Sequence, residues 1–292
     1  MIWQDYKKLY ANALKQYSPK FKKELQNQVN TYCRTLDYNA ISDKAIKKTI
    51  QKLHLAMGVK MAQISSKVVK RSVKGHYEAL EVKSAETDLF AYTILQYLQT
   101  QGLDQLASDI TNTTKEQIRR YLIQSAEQNL TLPESIVLLR NAGITDYRAE
   151  LIARTETGRA ANIGSMVGAT STGLVTVKEW IAAKDNRTRR IPRDQFDHLN
   201  MDGTKIPMDA TFKLQNKKGG FDLMLHPCDS SGSAGDVCNC RCTLGYEAQR
   251  DKNGKLLKLE NNPPKGNVGM IWGILTNAVG MQIGRLIADL FE

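Results

Sequence analysis

The sequence predicts an α+β protein with an all-helical amino-terminal region, a small mixed α+β domain and a carboxy-terminal helix. From Tyr6 to Leu139 apolar residues recur every three or four positions, as on the buried face of a helix. After Gly173 the pattern changes to short β-type segments separated by Gly, Asp, Asn and Pro. The length of 292 residues, 41% of them hydrophobic, suffices for a buried core and suggests two units. The predicted regions are 1–145, 146–250 and 251–292.

Polar residues that favour helix starts divide the first region into an array of helices. They are Asp43, Thr113, Thr131 and Asp146. Thr131 is followed by Pro133, which helix geometry favours in the first turn. The helix that begins there is predicted to end at Asn141-Ala142-Gly143, because glycine favours the position after a helix.

The second region is predicted to contain several short strands. They are 175–181, 211–214, 221–225 and 238–246. Residues 216–220 supply a turn, and Asn253-Gly254 predicts a hairpin.

The last region holds a break at 263–266 and an apolar helix from Val268 to Phe291. About seventeen uncharged residues lie at the lower margin for a membrane span, and the glycines and asparagine among them weaken the hydrophobicity. We therefore expect this helix to dock on the protein or on a partner rather than on a membrane. The chain starts with charges and no apolar run, which predicts a protein made and kept in a cytoplasm.

The basic charge is concentrated in the amino-terminal part of the chain. The formal net charge is +11, and residues 1–100 hold 17 Lys and Arg against 8 Asp and Glu. Such a field attracts phosphate backbones or acidic protein surfaces without reading sequence. The candidate nucleic-acid or partner face is Lys60, Lys67, Lys70, Arg71 and Lys74. A merely solvated face is the alternative.

Four of the five cysteines lie between residues 228 and 242. In a reducing compartment such clusters indicate core packing or metal binding before disulfides. A strand over Cys238–Cys242 would place three sulfurs on one face, where a structural zinc is one interpretation and plain core packing is the other. The candidate ligands are His198, Cys238, Cys240 and Cys242, with His226 or Cys228 as further donors. No other cofactor is expected.

Several motifs follow one another in a fixed order. They are Arg154-Thr155-Glu156-Thr157, Trp180 followed by Asp185-x-Arg187-Thr188-Arg189, His198-x-x-Met201-x-Gly203, and Asn239-Cys240-Arg241-Cys242-Thr243-Leu244. In this order they resemble the Mu F-like minor head protein family of tailed phages, over about residues 146–246. The resemblance implies a low-copy structural protein of the virion that acts in head morphogenesis.

The resemblance also implies where the protein works and what it binds. We expect it in the capsid interior near the portal vertex, and in the host cytoplasm during assembly. The expected partners are the portal protein and other capsid proteins, with double-stranded DNA, packaged or ejected, as a further one. No small-molecule substrate is expected.

The motif residues have a scaffold interpretation and a catalytic one. As a scaffold, the arginines would pair with Asp185, Asp202 or Glu156 and pin turns to the sheet. The scaffold set is Arg154, Glu156, Trp180, Asp185, Arg187, Arg189, Asp202, Gly203 and Arg241. As an enzyme, His198 would act as a base oriented by Asp202, or beside a cysteine nucleophile.

Two functions remain as alternatives to a head protein. One is a sequence-nonspecific DNA-binding protein that guards the genome end. The other is a cysteine–histidine or metal-dependent hydrolase. Because no Gly-rich phosphate loop, His-Glu-x-x-His or Gly-x-Ser-x-Gly is present, we expect no enzymatic activity.

Overall fold

The computed structural model describes residues 2–73, 86–143 and 145–278. The helices are α1 (Ile2–Thr35), α2 (Lys44–Ser72), α3 (Glu86–Thr100), α4 (Leu103–Glu127), α5 (Leu132–Asn141), α6 (Asp146–Thr170), α7 (Ala234–Val237) and α8 (Gly266–Asn277). The strands are β1 (Thr176–Ile181), β2 (Lys205–Pro207), β3 (Phe212–Gln215), β4 (Phe221–Met224) and β5 (Thr243–Ala248). The predicted α+β class, with helices first and a small sheet after them, is confirmed.

Most of the predicted helix starts are confirmed, and one is wrong. Asp43 precedes α2, and Thr131 begins α5 with a capping box in which its backbone N–H donates to Glu134 at 2.8 Å. Thr113 lies inside α4. Its hydroxyl donates to the carbonyl of Asp109 at 2.8 Å. A threonine that bonds the preceding turn is satisfied within a helix, so it does not mark a start.

Helix α6 runs through the middle of the molecule, against α1 and α2. Nearly all of its carboxy-terminal half is buried. The backbones of α2 and α6 touch where glycines face each other, because a Cβ on Gly164 would lie 2.1 Å from the carbonyl oxygen of Gly58. The small residues at this crossing therefore allow α6 to pack closely against α2 in the middle of the molecule.

The sheet has the antiparallel order β2-β1-β5, with Trp180 opposite Leu244. Strands β3 and β4 form a separate hairpin, which confirms the turn predicted at 216–220. The Asn253-Gly254 turn is present, with a single bridge between Arg250 and Leu256 beside it.

The strand predicted over 238–246 is wrong in its first half. Helix α7 ends at Val237, and Cys238 follows as its cap. Asn239 then takes a left-handed conformation with φ 59°. A strand cannot pass through that backbone conformation, and β5 begins only at Thr243. The three cysteines therefore do not share one strand face.

One hydrophobic core extends from α1 through α2 and α6 to the sheet, so packing is continuous across residue 145. Helix α8 belongs to this core and buries Val268, Ile271 and Leu275. Among the described residues, no helix is both long and apolar enough to cross a membrane. Residues 279–292, the remainder of the predicted terminal helix, lie outside the described residues.

Candidate site at the cysteine and histidine cluster

The site forms where the loop after β1, the segment around α7 and the turn before β5 meet α6. His198 Nδ1 lies 3.4 Å from Cys240 Sγ and 3.6 Å from Cys242 Sγ. These three donor atoms lie within 4.8 Å of one another, and each residue is only 2% exposed. We refer to His198, Cys240 and Cys242 as the cluster.

Asp236 orients the imidazole of His198. The Nε2–H of His198 donates to Asp236 Oδ1, which turns Nδ1 toward the two sulfurs. Asp202, the predicted partner, does not contact this histidine. It accepts a bond from the backbone of Ala182 at 2.9 Å and pairs with Lys184 at 2.6 Å. The turn at Gly203 holds Asp202 at the end of β1, away from the cluster.

The other two cysteines of the segment differ in their placement. Cys228 is fully buried, and its thiol lies 3.4 Å from the carbonyl oxygen of Cys240. Its sulfur also neighbours the sulfur of Cys240. Cys238, a predicted ligand, is half-buried and stands outside the cluster. His226 is buried elsewhere, with Nδ1 on the Pro227 carbonyl at 2.9 Å.

The cysteines in and beside the cluster differ in the direction in which their surroundings shift their pKa values. Hydrogen bonds from the thiols of Cys228 and Cys242, together with the nearby imidazole, hold the pKa of Cys240 well below its usual range. Bonding to Cys240 and burial raise the pKa values of Cys228 and Cys242. Burial alone lowers the pKa of His198, but Cys240 and Asp236 outweigh it and raise this pKa to about 9. These shifts favour a thiolate at Cys240 and a protonated imidazole at His198.

Helix α6 fixes the two cysteine-bearing loops by their backbones. Arg159 Nε donates to the carbonyl of Cys228 at 3.0 Å. Asn162 Nδ2 donates to the carbonyls of Pro227 at 3.0 Å and Cys242 at 3.3 Å. Gly158 makes this approach possible, since a Cβ there would lie 2.6 Å from Cys228 Sγ.

Sequence reasoning missed Asp236, Arg159 and Asn162. Thr155, whose hydroxyl accepts from the Asn239 backbone at 3.1 Å, belongs to the first motif. Arg159 and Asn162 follow it at helical spacing on one face of α6. That spacing was the available signal for the helix residues, whereas nothing in the sequence distinguishes Asp236 from other acids.

Glu156 links α2 to α6 rather than pairing with the motif arginines. It is 2% exposed, and it accepts bonds from Arg159 at 2.7 Å and His54 at 3.2 Å. Burial raises its pKa, but Arg159 and His54 together leave the pKa below its usual range. Burial lowers the pKa of His54. Glu156 is therefore a buried carboxylate held by two basic side chains.

The remaining motif arginines line one cleft of about 220 Å³, with Asp194 and Asn239 also in its wall. We call it the arginine cleft; its arginines are Arg154, Arg187, Arg189 and Arg241. Arg241 makes the predicted pair with Asp185, through bonds of 3.1 and 2.6 Å. Arg189 donates to the Cys238 carbonyl, and Arg154 pairs with Glu150. The guanidinium of Arg187 is exposed and has no such partner among the described residues.

Comparison with known families identifies the region that carries these features. Residues 104–245 match the family described as Phage Mu protein F like protein. These residues form a Mu F-like region of the chain. The matched Mu F-like region begins in α4 and ends in β5, so it contains the cluster, the arginine cleft and α6. No curated protein and no solved structure matches the chain.

Two further motif residues of the Mu F-like region have structural surroundings. Trp180 is fully buried, with its ring edge-on to His198 at 5.5 Å and to Phe212 at 5.2 Å. Gly203 has φ 79°, a conformation that glycine adopts without strain. Its backbone N–H donates to the Trp180 carbonyl at 2.8 Å, which closes the turn after β1.

The predicted basic face lies on α2, outside the Mu F-like region. Lys60, Lys67 and Arg71 are exposed, and their spacing of seven and four residues aligns them on one stripe. Lys70 pairs with Glu86 at 3.3 Å, so an acid from α3 interrupts the face. Lys74 lies outside the described residues.

Asp236, His198 and Cys240 are connected in the same way as the acid, the histidine and the nucleophile of a catalytic triad. Asp236 contacts Nε2 of His198, and Nδ1 of the same ring faces Cys240 Sγ. Each member is at most 2% exposed. A substrate cannot reach a sulfur buried to this extent without opening of the loops. The geometry suits a structural role, in which the cluster holds three chain segments together.

Proposed function

We propose that the protein is a minor structural component of a tailed-phage head, positioned in the capsid interior near the portal vertex. The match of residues 104–245 to the Mu F-like family carries this proposal. Mu F-like proteins are phage head morphogenesis proteins with a structural role. Burial of the cysteine cluster supports a scaffold rather than a catalytic surface.

The arginine cleft is the proposed contact with the portal or another capsid protein. Three of its arginines are held in place by Glu150, the Cys238 carbonyl and Asp185. This arrangement presents Arg187 beside a preorganised basic surface. Guanidinium groups pair with carboxylates in a two-point geometry and are enriched at protein interfaces. An acidic surface on the partner is the complement that this cleft favours.

Co-purification with the portal protein of the same phage tests the proposal. The tagged full chain should be recovered with the portal and found by mass spectrometry in purified virions at a few copies per portal ring. Arg187→Glu should reduce the recovery, because it reverses the charge of a guanidinium that makes no bond to the described residues. Arg120→Glu, an exposed change on α4, is the matched control. Absence of the protein from both preparations would overturn the proposal.

A second candidate function is sequence-nonspecific contact with double-stranded DNA. The stripe of Lys60, Lys67 and Arg71 on α2 favours it, since phosphate contacts need exposed cations and no base recognition. Binding should weaken steeply with salt.

A gel shift at several salt concentrations tests this contact. Lys60→Glu with Lys67→Glu should reduce the salt slope by about two, as each lost phosphate contact removes about 0.9. Lys217→Glu with Lys218→Glu, on the β3–β4 turn, makes the same charge change elsewhere. Failure of the wild-type chain to shift duplex DNA at low salt would exclude the DNA role and leave the head role standing.

A further inference from the structure

We propose that the cluster is a structural zinc site, with His198, Cys240, Cys242 and Cys228 as its four ligands. Cys and His are the donors of structural zinc sites, which are closed and tetrahedral. Two of these ligands belong to the turn before β5, and the other two come from separate loops.

The distances in the cluster are those of ligands that share a zinc ion. Zn–S and Zn–N bonds of about 2.3 and 2.0 Å at tetrahedral angles place a nitrogen and a sulfur ligand about 3.5 Å apart. His198 Nδ1 lies 3.4 Å from Cys240 Sγ and 3.6 Å from Cys242 Sγ. Zinc would therefore need little rearrangement of these three side chains.

A hydrogen bond at Nδ1 of His198 engages only one of the two sulfurs that face it. The Nε2–H is committed to Asp236, so Nδ1 has either one lone pair or one proton to offer. Either form makes one good hydrogen bond, yet Cys240 and Cys242 both face this nitrogen at similar distances. A metal ion satisfies both sulfurs and the nitrogen at once.

Asp236 has the position of an outer partner to a metal-bound histidine. A zinc-binding imidazole almost always donates its second N–H to a carboxylate, a carbonyl or water, which fixes the ring. Asp236 is fully buried, and its second oxygen has no hydrogen-bond partner in the described part of the chain. A buried carboxylate with one unsatisfied oxygen is costly. A neighbouring cationic centre would offset that cost.

Cys228 is the fourth ligand that the surroundings favour. Its sulfur adjoins that of Cys240, and the glycine at position 158 leaves the room it occupies against α6. Cys228 and Cys238 both lie outside the three donors that are within 4.8 Å of one another, but Cys228 is buried whereas Cys238 is only half-buried. Full burial of Cys228 also makes a thiolate a better fourth ligand than water from solvent.

The zinc would stabilise a part of the fold that has little regular structure. Between β4 and β5 the described chain contains only the four-residue helix α7. Hydrogen bonds from Arg159 and Asn162 hold this segment to α6, and zinc would tie it also to the loop of His198. Free energy of metal binding to such a site appears as folding stability.

Metal analysis of the purified full chain, expressed with added zinc, tests the proposal. We expect one zinc per chain by plasma mass spectrometry. Cys240→Ser and Cys242→Ser should lose the metal. Cys33→Ser and Cys238→Ser should retain it, since Cys33 lies in a separate core and Cys238 outside the cluster.

Two measurements do not depend on the folding of the ligand variants. Cobalt(II) exchanged into the wild-type chain should give the intense visible bands of a tetrahedral site and thiolate charge-transfer absorption. Asp236→Asn retains all four ligands and should weaken zinc affinity by about 10–100-fold in competition with a chelator.

Three outcomes would overturn the proposal. The first is wild-type protein with no more zinc than Cys240→Ser. The second is a cobalt spectrum without thiolate charge transfer. The third is loss of metal from Cys238→Ser as complete as that from Cys240→Ser, which would rule out the ligand set.

Discussion

Lys178 shows how strongly burial acts on single residues of this fold. It lies on β1 with no exposed surface, and its Nζ donates to the Leu225 carbonyl at 2.7 Å. The ammonium also stands 5.4 Å from the ring of Phe212. Burial lowers its pKa to about 7, although Asp229 and Asp209 oppose the shift. The unfolded chain, with an ordinary lysine pKa, binds this proton more tightly.

Replacement of Lys178 should therefore change the pH dependence of stability. Between about pH 7 and pH 10 the unfolded wild-type chain binds more protons than the folded one, so this lysine makes stability rise with pH. Its contribution has a slope of at most about 1.4 kcal/mol per pH unit. In urea unfolding, Lys178→Met should gain stability relative to wild type at pH 7 and lose that gain toward pH 9. Parallel pH profiles for the two proteins would contradict the assignment, because the cysteines titrate equally in both.

Glu156 is the residue whose charge should matter most to the helical core. Glu156→Gln keeps the shape of the side chain but leaves Arg159 without its buried carboxylate. Breaking one partner of a buried pair costs about 3–5 kcal/mol. Glu150→Gln, on the same helix, breaks the exposed pair with Arg154 and should cost less than about 1 kcal/mol. Urea unfolding of both variants measures the difference, and equal losses would exclude a special role for the buried carboxylate.

At the scale of elements, the crossing of α2 and α6 depends on the absence of side chains. A Cβ at Gly164 would lie 2.4 Å from Gly58 Cα. Gly164→Ala should therefore force the helices apart and destabilise the protein by about 3 kcal/mol, at the upper end of overpacking costs. Gly273→Ala in α8 is the matched control, because nothing lies within 4 Å of its added methyl. That change should be neutral or stabilise by up to about 1 kcal/mol. Similar melting temperatures for both variants would contradict the close approach.

The elements differ in how far the sequence could predict them. Hydrophobic periodicity and caps sufficed for the long helices, because each buries one face over many turns. The strand predicted over Cys238–Cys242 failed because alternating cysteines imitate a strand, whereas a four-residue helix such as α7 leaves no periodic signal. The predicted ligands His198, Cys238, Cys240 and Cys242, with Cys228 as a further donor, include the three residues that the fold brings together, but Cys238 lies outside them. Asp236 could be placed beside them only by the tertiary fold.

At the scale of the whole molecule, the Mu F-like region does not coincide with a separate core. Residues 104–245 include α6, but α1 and α2, which cover much of its buried surface, lie outside the match. Tyr6 and Tyr10 of α1 belong to the same core as Cys240 and Cys242. The segment that matches the family is therefore shorter than the part of the chain that shares this hydrophobic core.

A fragment of residues 104–245 should consequently fail to fold by itself. Without α1 and α2, the apolar face of α6 would be open to water, and the cost of that exposure is about 25 cal/mol for each Å². We expect the fragment to bind a hydrophobic dye and to lack a cooperative thermal transition, while the full chain unfolds in one step. Co-expression with residues 1–103 should restore the cooperative transition, because this second fragment supplies α1 and α2. A fragment that melted cooperatively alone, near the temperature of the full chain, would show that the Mu F-like region is an autonomous domain and that the amino-terminal helices are an added layer.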